Sequence, residues 1–405
     1  MDTGLVTESA SNTDTASSIE TARPTQTIPL ASELRLIAES SGKSYLGLIR
    51  EFAKLAFGPG KLAFDEYLAL RLFDDERLQG ADKREFMGLA ASRKIWLDAN
   101  YQIEYFSLVE NKIAANALFG AYGFPVIPTL ALFSRGAGLA STNLLRTPEE
   151  LRHFLMHSRH YPLFGKPLDG IQSLGAASFD RYDTERDCLV GGSGSETPLD
   201  AFVNDVASHY GSGYLFQRRV SPHSDVRTLC GDRLATVRLL TILTKSGPKL
   251  LRACWKIPAG TNVADNFWRS GNMLAQLDLT EGRVLRVIRG AGSTAEEPTL
   301  HPDTGAPMIG FLIPEWNQIV DLALEGAKVL PEVALVGWDI APVDGGAVLV
   351  ELNHNPDFKL TQIADRRGAM DSVMKEFLAE RRRDGEAWKQ TPRKKAKHKE
   401  AVLQA

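Results

Sequence analysis

The chain has 405 residues, 43% of them hydrophobic and 24% charged, with a formal net charge of -3. That composition is ordinary for a globular protein of about two to three domain-sized units and excludes a fibrous or wholly disordered chain. No apolar run approaches the roughly 18 residues of a membrane-spanning helix. The polar start lacks the segments of a secretory signal, and Cys188, Cys230 and Cys254 are too scattered for a disulfide framework or a thiolate metal site, so a cytoplasmic, reduced protein is expected.

Residues 1–27 carry eleven Ser or Thr and almost no large apolar side chain, which predicts a disordered tail over 1–30. From Ser32 to Phe73 apolar residues recur at helical spacing, broken at Gly58-Pro59-Gly60, and a small supporting helical region is expected over 31–108. A helix over 111–122 and a strand over 129–133 follow. Thr147-Pro148-Glu149-Glu150 reads as an N-cap, a Pro at the first helical position and a Glu at the third, opening a helix to His157. After a strand over 163–167, Thr197-Pro198 repeats that start signal for a helix to His209, and 214–220 reads as a strand. Gly191 to Gly194 reads as a turn.

Beyond Val220 strands dominate, over 234–243, 249–257, 273–279 and 284–288. A helix over 314–329 then precedes strands over 335–340 and 347–353. The order predicts an α+β protein: a first lobe over 109–220, with helices on a small sheet, and a second lobe over 221–380 built on a mostly antiparallel sheet. The segment 381–405 carries nine Lys or Arg against three Asp or Glu and reads as a solvated basic tail.

The sharpest local feature is the hairpin in which Val336-Gly-Trp-Asp339 and Glu351-Leu-Asn353 flank a Gly-rich turn. With the turn centred on Gly345, Asp339 lies opposite Glu351, and Asn353 shares the face of Glu351 by the strand period of two. Two carboxylates so placed repel by about 4 kcal/mol at ~4 Å and an effective dielectric near 20. A divalent cation removes that cost, and Asp, Glu and Asn oxygens suit Mg²⁺. The alternative is a surface hairpin with outward acids. Lys166, in mid-strand, is costly unless it meets an anion, and Gly170, Ser173 and Gly175 after it give a loop able to close over phosphates. Arg238 and Lys256 are further cations inside apolar strands, facing solvent or completing a phosphate clamp. His223, His301 and His354 are expected in structural roles.

With these residues in place, the chain resembles the ATP-grasp superfamily and, within it, the sugar-transfer-associated ATP-grasp proteins. The resemblance runs from about Ser32 to Phe377 through Gly60-Lys-Leu-Ala-Phe-Asp-Glu-Tyr67, the stretch from Lys166 to Gly175, Tyr214-Leu-Phe-Gln-Arg-Arg-Val-Ser-Pro-His223, Val263-Ala-Asp-Asn-Phe267, His301-Pro-Asp-Thr-Gly305 and the acidic hairpin. It implies a two-lobed ATP-grasp domain over 109–380 with nucleotide between the lobes. Lys112 and Lys166 would meet phosphates, with Gly170, Ser173 and Gly175 beside them. Gln217, Arg218 and Val220 would form the hinge beside adenine, and Asp225 would hold the ribose. Arg238 and Lys256 would steady the transferring phosphoryl group, and Asp339, Glu351 and Asn353 would ligate Mg²⁺, for which Mn²⁺ can substitute.

Many members carry Glu where this chain has Gln217. The Asp265-Asn266 pair lies in a loop facing the site in similar proteins, or forms an ordinary Asx turn. The activity implied is ligation of a small-molecule, peptide-linked or sugar-linked carboxylate to an amine or a similar nucleophile such as a thiol, with a sugar or small-molecule kinase and a non-catalytic nucleotide-binding module as alternatives. A homodimer is compatible with this reading; a specific nucleic-acid partner and a membrane span are not expected.

Overall fold

The structure, a computed structural model, describes residues 30–136, 143–168, 170 and 174–390. The expected disordered tail over 1–29, Ser173 and the basic segment 391–405 lie outside these residues. The chain forms two compact units, one of Pro128–Arg219 and one of residues 30–127 with 220–390.

The first unit is a seven-stranded sheet. In chain order its strands are β1 (Thr129–Phe133), β2 (Leu144–Leu145), β3 (Leu163–Pro167), β4 (Ala177–Asp183), β5 (Cys188–Gly191), β6 (Glu196–Pro198) and β7 (Tyr214–Arg218), arranged β2-β1-β7-β3-β4-β5-β6. Every pair is antiparallel except β1 with β2. The helices Pro148–His157 and Leu199–His209 cover one face, burying Leu151, Leu155, Phe202 and Val206 against Leu163, Phe179, Tyr214 and Phe216. The first helix starts as expected: Thr147 Oγ1 accepts from the Glu150 amide at 3.2 Å, with Pro148 in the first turn. The second does not. Thr197 is drawn into β6 opposite Leu189, so the helix opens at Leu199 without a side-chain cap. The backbone there is paired in the ladder on β5 instead.

The second unit carries a wholly antiparallel six-stranded sheet of β8 (Val237–Thr244), β9 (Gly247–Ile257), β10 (Met273–Leu277), β11 (Val284–Arg289), β12 (Leu335–Val343) and β13 (Gly346–Asn353), in the order β11-β10-β9-β8-β12-β13. The helix Trp316–Val329 packs on one face, against Val237, Leu239, Trp255 and Trp338. Helix Phe358–Asp365 and the N-terminal helices share a second core with Cys254, Leu274 and Ile288 from the opposite face. Gly345, at φ +80, makes the β12–β13 turn in a backbone region where a Cβ is disfavoured.

Two boundaries differ from expectation. Residues 109–127, expected in the first lobe, belong to the second unit: Phe119 of helix Lys112–Ala121 packs edge-on to Trp338 at 5.7 Å, and the Leu349 amide donates to the Pro125 carbonyl at 2.8 Å. Residues 381–390 are not a solvated tail but the end of helix Ser372–Gln390. Arg381 Nε donates to the Ala99 carbonyl at 2.8 Å and its guanidinium sits 4.5 Å from the Tyr101 ring centre, so its apolar stem and cation–π contact offset the charge. All three cysteines are free and buried. Among the described residues no helix is long and apolar enough to cross a membrane.

Candidate nucleotide and phosphoryl-transfer site

The second sheet gathers charge on one face. Asp339 pairs with Glu351 across β12–β13 and with Arg238 across β12–β8, the first as the hairpin register predicts. A bulge after Asp339 shifts the register toward the turn, so the expected one-for-one pairing holds at Asp339 and not beyond. Lys256 joins the same face from β9, since its amide donates to the Thr236 carbonyl and Arg238 lies opposite Cys254.

These side chains neutralise one another. Arg238 holds Asp339 through two parallel bonds, Nε to Oδ1 at 2.7 Å and Nη2 to Oδ2 at 2.8 Å, the bidentate geometry that makes such pairs strong. Lys256 Nζ lies 3.2 Å from Asp339 Oδ2 and 3.4 Å from Asp265 Oδ1. Asp265 in turn accepts from the Thr236 amide at 2.7 Å and its hydroxyl at 2.6 Å. Burial by itself would raise the Asp339 carboxyl, but Arg238 and Lys256 outweigh it and hold the group well below the usual carboxylate range. Burial likewise opposes the charge on Lys256, and Asp265 and Asp339 more than restore it. The cluster is therefore charged on both sides, with its cations fixed in place.

This corrects the reason for the acidic pair. The repulsion between Asp339 and Glu351 is relieved by Arg238 and Lys256, and on the other side by Lys112, whose Nζ lies 3.8 Å from Glu351 Oε1. Among the described residues no three or more His, Cys, Asp or Glu side chains assemble as a metal site. The donors still suit Mg²⁺. A carboxylate offers about four lone-pair sites, and three of those on Asp339 are taken. Glu351 and Asn353 are half-buried on the same face of β13, and Asn353 makes no side-chain hydrogen bond among the described residues. Mg²⁺ typically takes one or two carboxylates with the remainder from phosphates and water. Glu351 and Asn353 would hold it, with Asp339 lending one lone pair.

Beside Asn353, His354 is buried, stacks on Phe106 at 4.0 Å and places Nε2 3.6 Å from Glu110 Oε1. Asn100 ties the end of the hairpin together, donating to the carbonyls of Leu335 and His354 at 2.9 Å and accepting from the Leu335 amide.

The remaining expected residues are distributed as follows. Lys166 is half-buried on β3, paired with Leu215, while Phe164 pairs with Gln217. Lys166 and Gln217 thus share the face of the first sheet that the two helices leave uncovered. Gly175 has a structural reason of its own. It sits at φ +76, a Cβ there would lie 2.4 Å from the Tyr210 hydroxyl, and its carbonyl accepts from Tyr214 at 2.8 Å. A Cβ on Gly170 would meet Pro167 at 2.9 Å. Gln217 and Arg218 end β7 in the first unit, and Val220 begins the second, so one of the chain crossings falls within the expected hinge.

Asp225 lies on the exposed first turn of helix Ser224–Cys230, whose Ser224 amide donates to Asp344 in the hairpin turn at 2.8 Å. That is the far end of the hairpin from Asp339, about 17 Å along five residues of strand, and among the described residues no hydrogen bond or ion pair joins Asp225 to the charge cluster. His301 is structural as expected, buried with Nε2 3.0 Å from the Pro258 carbonyl. Asp265 is the site residue that sequence reading left without a role. Its Asx-turn signal belongs to Asn266, whose Oδ1 accepts from the Trp268 amide at 2.9 Å.

No curated protein matches the sequence. Similar solved structures include the ATP-grasp ligase PsnB complexed with precursor peptide PsnA2 and AMPPNP, at 14% identity over 68% of this chain and 60% of that one, with a TM-score of 0.33. D-alanyl-alanine synthetase A from Vibrio cholerae is similar at 14% identity over 69% and 65%, with a TM-score of 0.40. Biotin carboxylase from Campylobacter jejuni follows at 11% identity over 73% and 53%, with a TM-score of 0.41. The chain thus spans 60% of the length of PsnB. Residues 93–376 match the family described as sugar-transfer associated ATP-grasp, a stretch that takes in both sheets, the charge cluster and the acidic hairpin. This chain belongs to the sugar-transfer associated ATP-grasp family.

Proposed function

We propose that the protein is an ATP- and Mg²⁺-dependent ligase that activates a carboxylate as an acylphosphate and joins it to an amine. The observation carrying this reading is the pair of buried cations, Arg238 and Lys256, fixed by Asp339 and Asp265 beside the half-buried oxygens of Glu351 and Asn353. Phosphoryl transfer needs little covalent work from a protein and much charge held in position. Lys166 and Lys112 supply cations for the nucleotide phosphates, and backbone groups over 217–220 read the adenine edge. Arg238 and Lys256 meet the transferring phosphoryl group and the acylphosphate oxygen. Mg²⁺, when bound, neutralises phosphate charge and orients the reacting oxygens.

Among these groups none is a nucleophile paired with a base, which suits a reaction in which the substrates supply both reacting atoms. A screen of acid and amine pairs with ATP tests the reading by the products. Free phosphate released only when both an acid and an amine are present supports ligation, whereas a stable phosphorylated product would make the protein a kinase instead. A sugar-linked or peptide-linked acid belongs in the screen because the cluster selects a phosphoryl group and leaves the rest of the acid unspecified.

A further inference from the structure

A second charged cluster lies on the other edge of the second sheet, and it is out of balance. Arg286 is on β11, three strands and about 14 Å from Arg238 on β8, and two strands, about 10 Å, from β9, which carries Lys256, by interstrand spacing. Arg77 and Arg366 converge on a single oxygen of Glu297. Arg366 also donates to the Arg77 carbonyl at 3.4 Å, Arg71 donates to Asp74 at 3.1 Å, and Arg286 donates to the Ala364 carbonyl. The nearby Asp365 and Asp371 share Arg252, with Arg367 adding a further cation to Asp365. Taken together, the six guanidiniums of Arg71, Arg77, Arg252, Arg286, Arg366 and Arg367 face four carboxylates, Asp74, Glu297, Asp365 and Asp371, an excess of two positive charges.

Four further features set this group apart from an ordinary surface network. The Nε atoms of Arg71, Arg286 and Arg366 are buried and have no hydrogen-bond partner among the described residues, a cost that folded proteins rarely leave uncompensated. Arg71 and Arg366 both sit at left-handed backbone positions, φ +52 and +55, where Gly or Asn is the usual choice. Burial, together with mutual repulsion, lowers both Arg77 and Arg286 to about 10. A cavity of about 270 Å³ opens beside the cluster, lined by Arg286 and Glu297 with Gln276 and Thr299 among others, and Arg77 and Arg366 reach it only through Glu297.

We propose that the Arg77–Arg286–Arg366 cluster and its cavity form a second ligand site, for a dianionic phosphoryl group. A phosphate monoester carries nearly two negative charges at neutral pH, which matches the charge excess, and its strong acceptor oxygens suit the Arg286 guanidinium on the cavity wall. Glu297 stands in for part of that charge when the site is empty, and Gln276 and Thr299 face whatever the phosphoryl group is attached to. The site does not depend on nucleotide binding around Arg238, so each can fail without the other.

The test is thermal unfolding of the full chain without nucleotide, titrated with inorganic phosphate, glycerol 3-phosphate and acetate at ionic strength fixed with chloride. Saturable stabilisation by a phosphate compound and none by acetate is expected. Arg366→Gly removes a guanidinium at a position where Gly is the unstrained residue, and a cooperative melt of the variant alone checks that it folds. Together with Arg286→Gln it should weaken phosphate binding about tenfold or more. Glu297→Gln removes the competing carboxylate and should tighten it. Tighter binding of glycerol 3-phosphate assigns the site to a phosphorylated metabolite, and equal or weaker binding to phosphate itself. The absence of saturable stabilisation, an equal effect of acetate, or an unchanged response in Arg366→Gly and Arg286→Gln would overturn the proposal.

Discussion

Two charged clusters on one sheet follow opposite rules. Around Asp339 each buried cation meets a carboxylate with good geometry, and the oxygens left over belong to Glu351 and Asn353 at the half-buried end of β13. Around Glu297 the cations outnumber the carboxylates, and three guanidinium nitrogens are buried without partners. The first arrangement holds its charges rigid. The second leaves a deficit that an anion from outside can fill. Paired buried charge is weak evidence of stability and stronger evidence of a fixed geometry.

The largest effect should come from breaking the balanced cluster. Asp339→Ala leaves Arg238 without its bidentate partner and should cost about 3–5 kcal/mol in chemical denaturation. Replacing Arg238 by Met and Asp339 by Leu together should recover much of that loss, because no charge is then stranded by the pair. If the double variant is as unstable as the single one, the view of Asp339 chiefly as the anchor of Arg238 is wrong.

Next in size is a pH effect at the border of the unbalanced cluster. Burial raises the Asp365 carboxyl to about 6 despite Arg252, Arg286 and Arg367. An acid raised on folding binds its proton more tightly in the native state, so its contribution falls as pH rises from about 4, its unfolded value, through 6 and is constant above. Asp365→Asn should therefore be more stable than the wild type at pH 8 by about 1–3 kcal/mol and lose that advantage below about pH 4. Asp339 runs the other way: held low when folded, it contributes above about pH 4 and loses that contribution as pH falls below. Denaturation curves of both variants across pH 3–8 separate the two signs.

The smallest effect is expected at Glu297, whose side chain is partly exposed. Glu297→Gln should cost about 1 kcal/mol or less, and added phosphate should restore it. Phosphate should leave the loss in Asp339→Ala untouched. Equal rescue of both variants would erase the distinction between the clusters.

Much of the first cluster was legible because its signals are local. A Gly-centred hairpin fixes Asp339 opposite Glu351, and a cation inside an apolar strand flags Arg238, Lys256 and Lys166. The partners were not legible. Asp265 lies in a loop whose turn signal comes from its neighbour Asn266, and nothing local ties it to Thr236, 29 residues earlier. Lys112 carries the same chemistry in either unit, and only the packing of Phe119 on Trp338 shows which one it joins. Short polar strands such as β6 look like caps until a neighbouring strand recruits them. The arginine cluster draws on residues from 71 to 366, each unremarkable on its own, so charge balance emerges only from the fold.

The proposed ligase chemistry requires nucleotide and metal to meet the protein on the Asp339 face. Isothermal titration of the full chain with ATP, with and without Mg²⁺, tests this directly when paired with Glu351→Gln. Saturable, Mg²⁺-dependent binding by the wild type that weakens about tenfold or more in Glu351→Gln is the predicted result. A wild type that does not bind Mg-ATP, or a variant that binds it equally well, would contradict it.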